Sequence, residues 1–202
     1  MLISLAIFGS ATALGAKISA TQVLDNAAGR LHKSGGIVAS YTVKGSGNKV
    51  GVRGTLKVKG SKFAILDNNV STWYDGATQW NYNVHSDECT VSTPTVSEIS
   101  QINPYALLTG YKTLYKASMA KSKISGTYAV KMTPVSRQNP VKSAVLYVRA
   151  TDWQPVRIDL ADRQNQTVTI LITSIKTGQK LSDSAFTFPK SKYPKAEIID
   201  LR

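Results

Sequence analysis

Cysteine occurs once in the 202 residues, at Cys89, so no disulfide can close within the chain. A lone thiol inside the strand-like run ECTVS is expected as a small buried apolar residue. Histidine occurs twice. His32 suits a helix C-terminus through the dipole and needs no other role. His85, beside Ser86, Asp87 and Glu88, has neither metal-ligand spacing nor the setting of a nucleophile elbow, and is expected in a turn. The 12 carboxylates are scattered. Asp159 and Asp162 are the closest pair in a strand-like region, but three apart on a strand they face opposite sides. Gly45-Ser46-Gly47 lacks the Lys-Ser/Thr ending of a phosphate-binding loop, and no dinucleotide fingerprint is present. These absences leave no constellation for catalysis. The expectation is a protein that is not an enzyme and takes no cofactor and no metal.

Acidic residues are outnumbered by 25 Lys and Arg, giving a net charge of +13. That balance favours anionic partners such as nucleic acid, lipid headgroups or acidic polymers. Yet no run of four or more basic residues occurs, so the charge reads as a solvated surface, and no nucleic-acid partner is expected.

Long hydrophobic runs are also missing. The first segment, MLISLAIFGSATALGA, is uncharged up to Lys17. It is too short and too rich in Gly, Ser and Thr to span a membrane comfortably. Its apolar run is followed by small residues, and Ala13-Leu14-Gly15 fits a small-x-small cleavage site. The basic opening of such a segment is absent, pointing to a start codon upstream. The expectation is a signal peptide over 1–15 and one exported domain over 16–202; the alternative is a buried N-terminal helix. No Cys follows the apolar run, and Lys17 stands where an acylated Cys would anchor a lipoprotein.

What is present is mostly alternation. Ser19 or Thr21 can cap a helix running to about Ser34, with Val23, Leu24, Ala27, Ala28 and Leu31 in one stripe and Gly35-Gly36 ending it. Strand patterns follow at 37–45, 49–59, 62–66, 70–74, 78–84 and 88–92, with a period of two in KVGVRGTLKVK. From Thr95 to Ala117 strand signals fade, and Pro104 opens a short helix to about Leu108, closed by Gly110. Strands resume at 121–134, interrupted by Gly126, and continue at 143–151, 155–161 and 167–176. Ser182 or Asp183 caps a turn, and a last strand spans Glu197 to Leu201. About ten or eleven antiparallel strands in one chain of this length cannot lie flat. A mainly β fold with some helix follows: a strongly curved antiparallel sheet forming an incomplete barrel, covered by the N-terminal helix and short central helices.

The stretch STWYDGATQWNYN, residues 71–83, holds two of the three tryptophans. Asp75-Gly76 is a hairpin signal. Trp80 and Tyr82, two apart, share one face of the second strand. That face is either an ordinary sheet core or the wall of an apolar pocket.

The order of local motifs resembles the periplasmic outer-membrane lipoprotein carriers, the LolA family. The N-terminal helix precedes SYTVKG. Gly54-Thr55-Leu56-Lys57-Val58-Lys59 is similar to the family's glycine-x-leucine-x-valine-lysine strand, and Phe63 follows it. Tyr74 to Asn83 resembles the family's D-G-x-x-x-W-x-Y hairpin. Phe186-Thr187-Phe188-Pro189 and Ile198-Ile199-Asp200 resemble its closing segments. The resemblance spans nearly the whole chain after the signal.

It implies an incomplete barrel with a helical lid over an apolar cavity that takes lipoprotein acyl chains. It implies a periplasmic monomer that carries acylated lipoproteins from an inner-membrane lipoprotein-releasing ABC transporter to an outer-membrane acceptor. The expected lining is Leu56, Val58, Phe63, Trp73, Trp80 and Tyr82 from the strands, with Leu24, Leu31, Leu107 and Leu108 from the helices. One feature departs from the family: the Arg that follows Val-Lys and bonds to the lid has no counterpart. Gly60, Ser61 and Lys62 stand there, and Lys62 offers one contact without a rigid fork. Two other readings carry less: a membrane-associated acceptor of the same fold, against which the missing lipid-anchoring Cys counts, and a secreted binder of anionic polymer or glycan.

Overall fold

A computed structural model of the chain describes residues 17–32, 35–45, 50–95, 98–99, 108 and 110–202. The expected signal segment and most of the expected central helix, Leu107 included, lie outside the described residues.

Helix α1 covers Ala20–His32. Ser19 starts it with a reciprocal cap. The Gln22 amide donates to Ser19 Oγ at 3.1 Å, and the Ser19 amide donates to Gln22 Oε1 at 2.8 Å. Gly35, at φ 69°, turns the chain into the sheet. The apolar stripe is the buried one: Val23, Leu24 and Ala27 are fully enclosed, and Leu31 nearly so.

Among the described residues twelve strands form one sheet: β1 Gly36–Lys44, β2 Val50–Lys59, β3 Lys62–Asp67, β4 Val70–Tyr74, β5 Gln79–Asn83, β6 Glu88–Ser92, β7 Tyr115–Ala120, β8 Thr127–Pro134, β9 Val141–Arg149, β10 Pro155–Asp162, β11 Thr167–Gln179 and β12 Glu197–Asp200. The spatial order is β12-β6-β5-β4-β3-β2-β1-β11-β10-β9-β8-β7. Two meanders, β1–β6 and β7–β11, are thus joined where β1 pairs with β11. The ends of the sheet, β12 and β7, do not meet, and the barrel stays incomplete.

Three expectations are corrected. Strand β7 has no counterpart among the expected strands; its sequence, YKASMA, is poor in β-branched and aromatic residues, and pairing with β8 decides its conformation. The expected strand 121–134 begins only at Thr127, because 121–126 is a turn ending at Gly126, φ 68°. The helix expected to end at Gly110 lies mostly outside the described residues, and a short helix, α2, follows Gly110 at Tyr111–Leu114. The sheet is also not wholly antiparallel, since β12 runs parallel to β6.

Side chains alternate between two faces. On the inner face, the buried stripe of α1 shares one core with Val58, Phe63, Val130, Met132, Leu146 and Val148. On the outer face, Ala64, Trp73, Tyr82 and Cys89 pack against Phe186 and Ala196 of the C-terminal segment. This segment begins with a 3-10 turn at Asp183–Phe186. Cys89 is fully buried, and burial pushes its thiol up to about 11.

Candidate functional site: an apolar cavity under the first helix

The inner face is not filled to its end. A cavity of about 250 Å³ opens where the two meanders join. Strand β1 contributes Ile37, Ala39, Tyr41 and Val43; β2 contributes Leu56 and Val58; β3 contributes Ile65. The other wall is Leu146, Pro155 and Ile158, with Ile170, Ile172 and Ile175 of β11. Leu31 and Leu108 roof it. The only polar side-chain group among these residues is the Tyr41 hydroxyl. Burial, then the negative Asp67, push it up to about 12.

A register shift makes the isoleucine wall. Ser40 pairs with Ser174 but Tyr41 with Ile172, so Thr173 is extra on β11. Ile172 and Ile175, three apart, thereby face the same cavity. Thr173 turns outward, and its hydroxyl donates to the Ser40 carbonyl at 3.1 Å. All three isoleucines, with Leu56, Ile65 and Val43, remain partly exposed. An apolar wall left partly wet is a surface fitted for an apolar guest.

Of the expected lining residues, Leu31, Leu56, Val58 and Leu108 border the cavity. Leu24 and Phe63 lie in the same inner core, fully enclosed. Trp73, Trp80 and Tyr82 lie elsewhere, which corrects their assignment as cavity wall. Trp73 pairs with Trp80 across the hairpin, Tyr82 with Ser71, and Ala64 with Trp73; all belong to the outer face. Phe63, Tyr74, Ile65 and Thr72 hold the inner positions of the same ladder. One residue of parity separates the two outcomes. The outer aromatics have their own partners. Trp73 meets Phe188 edge-on at 5.5 Å, and Tyr82 meets Tyr193 at 4.3 Å between ring centroids. The Tyr82 hydroxyl donates to Asp87 at 2.6 Å, which together with burial pushes it up to about 12.

The hairpin tip is where the sequence puts it. Asp75 Oδ1 accepts the amides of Ala77 and Thr78 at 2.9 and 2.8 Å, and Gly76 takes φ 106°. The Asp side chain closes the loop as a backbone carbonyl would, and only glycine takes that φ without strain.

Two polar ties hold α1 over the cavity. Asp25 accepts from the Tyr111 hydroxyl at 2.9 Å and pairs with Lys112 at 3.0 Å. The hydrogen bond from Lys112 holds the Asp25 carboxyl below its usual range against the opposing effect of burial, and Tyr111 adds to the lowering. Arg30 pairs with Asp152 at 3.4 Å, which also holds Arg149 at 3.1 Å. Gly60 sits in the β2–β3 turn at φ 60°. Lys62 does not reach the helix: with Lys59 it binds Asp183, at 3.1 and 3.3 Å, and so fastens the C-terminal segment.

Behind the sheet lies a second space, an outer groove of about 880 Å³. Its floor is Ser40 and Thr42 of β1 with Arg53, Thr55 and Lys57 of β2; its far wall is Ser184, Thr187 and Lys192. Tyr41 borders both spaces. Among the described residues no group of three His, Cys, Asp or Glu is placed to hold a metal, and no helix is long and apolar enough to cross a membrane.

An apolar cavity roofed by an N-terminal helix on an unclosed sheet agrees with the family whose model matches residues 10–164, that of the outer membrane lipoprotein carrier protein LolA. The chain belongs to this family. No curated protein matches it by sequence. Among solved structures it is similar to an uncharacterised conserved protein from Thermus thermophilus. That match has 13% identity and a TM-score of 0.59, and covers 90% of this chain and 98% of the other. It is also similar to a domain assigned to outer membrane lipoprotein sorting from Vibrio parahaemolyticus. There the identity is 12% and the TM-score 0.51, with 87% and 98% covered. At such identities the likeness is one of fold: the LolA sheet and helix, with this chain's own side chains in the cavity.

Proposed function

We propose that this protein is a periplasmic carrier that takes the acyl chains of lipoproteins into the cavity under α1 and moves them from the inner to the outer membrane. The observation that carries the reading is the partly exposed wall of Ile170, Ile172 and Ile175 facing Leu56 and Ile65. Each acyl methylene hidden there contributes about 0.8 kcal/mol. A chain bound this way is safe from water yet bears no directional bond, so it can be handed on.

Opening is the second requirement. The ties at Asp25 and Arg30 are half exposed, and such pairs are individually weak. A guest that binds better with the helix displaced shifts the population towards the open form. In this reading the protein acts as a monomer, binds no nucleotide, and receives cargo from an inner-membrane ABC transporter whose ATP supplies the energy. An outer-membrane acceptor then relieves it of the cargo.

The test is native mass spectrometry after incubation with a synthetic triacylated lipopeptide. The expected result is a one-to-one adduct that the deacylated peptide does not form. Absence of any adduct at saturating lipopeptide ends the proposal.

A further inference from the structure

We infer that Tyr41 is the residue by which the cavity selects its guest: its hydroxyl donates to the carbonyl of an ester- or amide-linked acyl chain whose hydrocarbon lies among the isoleucines. The inference rests on the acyl-carrier reading and names the linkage that the site recognises.

Three observations lead there. First, the hydroxyl stands on the cavity side of the sheet. Gly54 shares the parity of Leu56 and Val58 on β2, and both of those line the cavity. A Cβ at Gly54 would therefore point inward, and the Tyr41 hydroxyl lies 2.3 Å from where it would stand. The phenol thus lies over a glycine on the inner face, in space that any larger residue at 54 would claim.

Second, the hydroxyl is unpaired. It forms no hydrogen bond among the described residues, whereas the Tyr74, Tyr82 and Tyr111 hydroxyls donate to the Gly76 carbonyl, Asp87 and Asp25. Burial, with the negative charge of Asp67, keeps the phenol protonated at neutral pH. It is a donor in a lining whose other side chains offer no acceptor. A half-buried donor left unmatched costs free energy that an acceptor on the guest recovers.

Third, the hydrocarbon has a furrow to lie in, on the same face. From Tyr41 the inner positions of β1 continue through Ala39 to Ile37, about 13 Å at about 3.3 Å per residue. Ala39 pairs with Leu56 of β2 on one side and Ile175 of β11 on the other. A single methyl between two branched side chains leaves a trough, and Leu31 and Leu108 roof the cavity it belongs to. The carbonyl of an acyl ester or amide is neutral and only accepts. A free carboxylate is disfavoured, because it would bring a second negative charge towards Asp67, which pairs with Gly54 across β2 and β3.

The experiment compares three probes by isothermal titration on the full chain: monolauroylglycerol, its ether analogue monododecylglycerol, in which a methylene replaces the carbonyl, and laurate. Native protein and Tyr41→Phe are titrated with each. We expect the native protein to bind the ester about fivefold more tightly than the ether, the effect of one hydrogen bond, and to bind laurate more weakly than the ester. We expect Tyr41→Phe to bind ester and ether alike, at the affinity the native protein has for the ether. Circular dichroism verifies that the variant is folded, and the ester–ether comparison on the native protein tests the inference without any variant. If the native protein shows no preference, or Tyr41→Phe keeps it, the inference falls while the carrier reading stands. If laurate binds more tightly than the ester, the site selects a carboxylate and the assigned linkage is wrong. If none of the three binds the native protein, the carrier reading fails and this inference goes with it.

Discussion

Replacing Trp73 by Ala separates the two faces of the sheet. Trp73 is 4% exposed and sits on the outer face. It touches Phe188 edge-on at 5.5 Å and Tyr193 at 6.4 Å. Truncating a buried Trp to Ala costs about 3–5 kcal/mol, because the site relaxes only in part. The substitution also removes both ring pairings, each worth about 0.5–1.5 kcal/mol beyond area, which places this case at the upper end of that span. For a chain of this size 1 kcal/mol moves Tm by about 2–4 °C, so a fall of about 6–20 °C is expected. Denaturant unfolding followed by far-UV circular dichroism measures the destabilisation, and native mass spectrometry below the new Tm measures acyl binding. Binding should persist, since the cavity lies on the inner face. A variant of native stability that no longer binds acyl chains would refute the placement of Trp73. So would a destabilisation under about 1 kcal/mol, far below the span for a well-packed Trp.

Gly54→Ala should destabilise by about 1–3 kcal/mol by overpacking, since the new Cβ would stand 2.3 Å from the Tyr41 hydroxyl and 2.8 Å from the Leu66 carbonyl. Adding Tyr41→Ala should recover only part of this in a double-mutant cycle, because the Leu66 carbonyl cannot move; full recovery would show that the ring alone sets the limit. Asp25→Asn should lower Tm at pH 7. The native carboxyl titrates below its usual value, chiefly through Lys112, so its contribution exists above about pH 3.9 and disappears as pH falls through the folded value. An equal gap between native and variant Tm at about pH 7 and about pH 2.5 would contradict that sign. Ile172→Trp should crowd the cavity of about 250 Å³; excluding two methylenes of a bound chain weakens it about fifteen-fold, measurable by titration with the lipopeptide, and unchanged affinity would place the guest elsewhere.

Much of the fold is legible because its signals are local. The α1 stripe and the Ser19 cap need only neighbours three and four residues away, and both hold in the structure. The Asp75-Gly76 loop is closed by its own side chain. Strands β1 to β6 read from alternation. What escapes is long-range. β7 is a strand because β8 lies beside it, and no residue of YKASMA says so. β12 runs parallel to β6 across a connection of more than 100 residues. The isoleucine wall was hidden in TVTILITSIK, where an unbroken apolar run has no visible parity and the extra Thr173 resets it.

The aromatic hairpin shows a different limit. Alternation says that Trp80 and Tyr82 share a face, and they do; it cannot say which face meets the helix. The deciding residues lie over a hundred positions away. Phe186, Phe188 and Tyr193 form an apolar cluster on a segment with no sheet position of its own, and such a cluster must be covered. The inner face already had α1. The outer surface of the hairpin was the remaining partner, and Lys59 and Lys62 hold Asp183 where the segment arrives. The consequence reaches function. With its bulkiest aromatics spent outside, the cavity is lined by branched aliphatic side chains and a single phenol, Tyr41. A chain resting against isoleucine and leucine gains area without a preferred ring geometry. Discrimination between guests then falls to the Tyr41 hydroxyl, the one polar side-chain group of that lining.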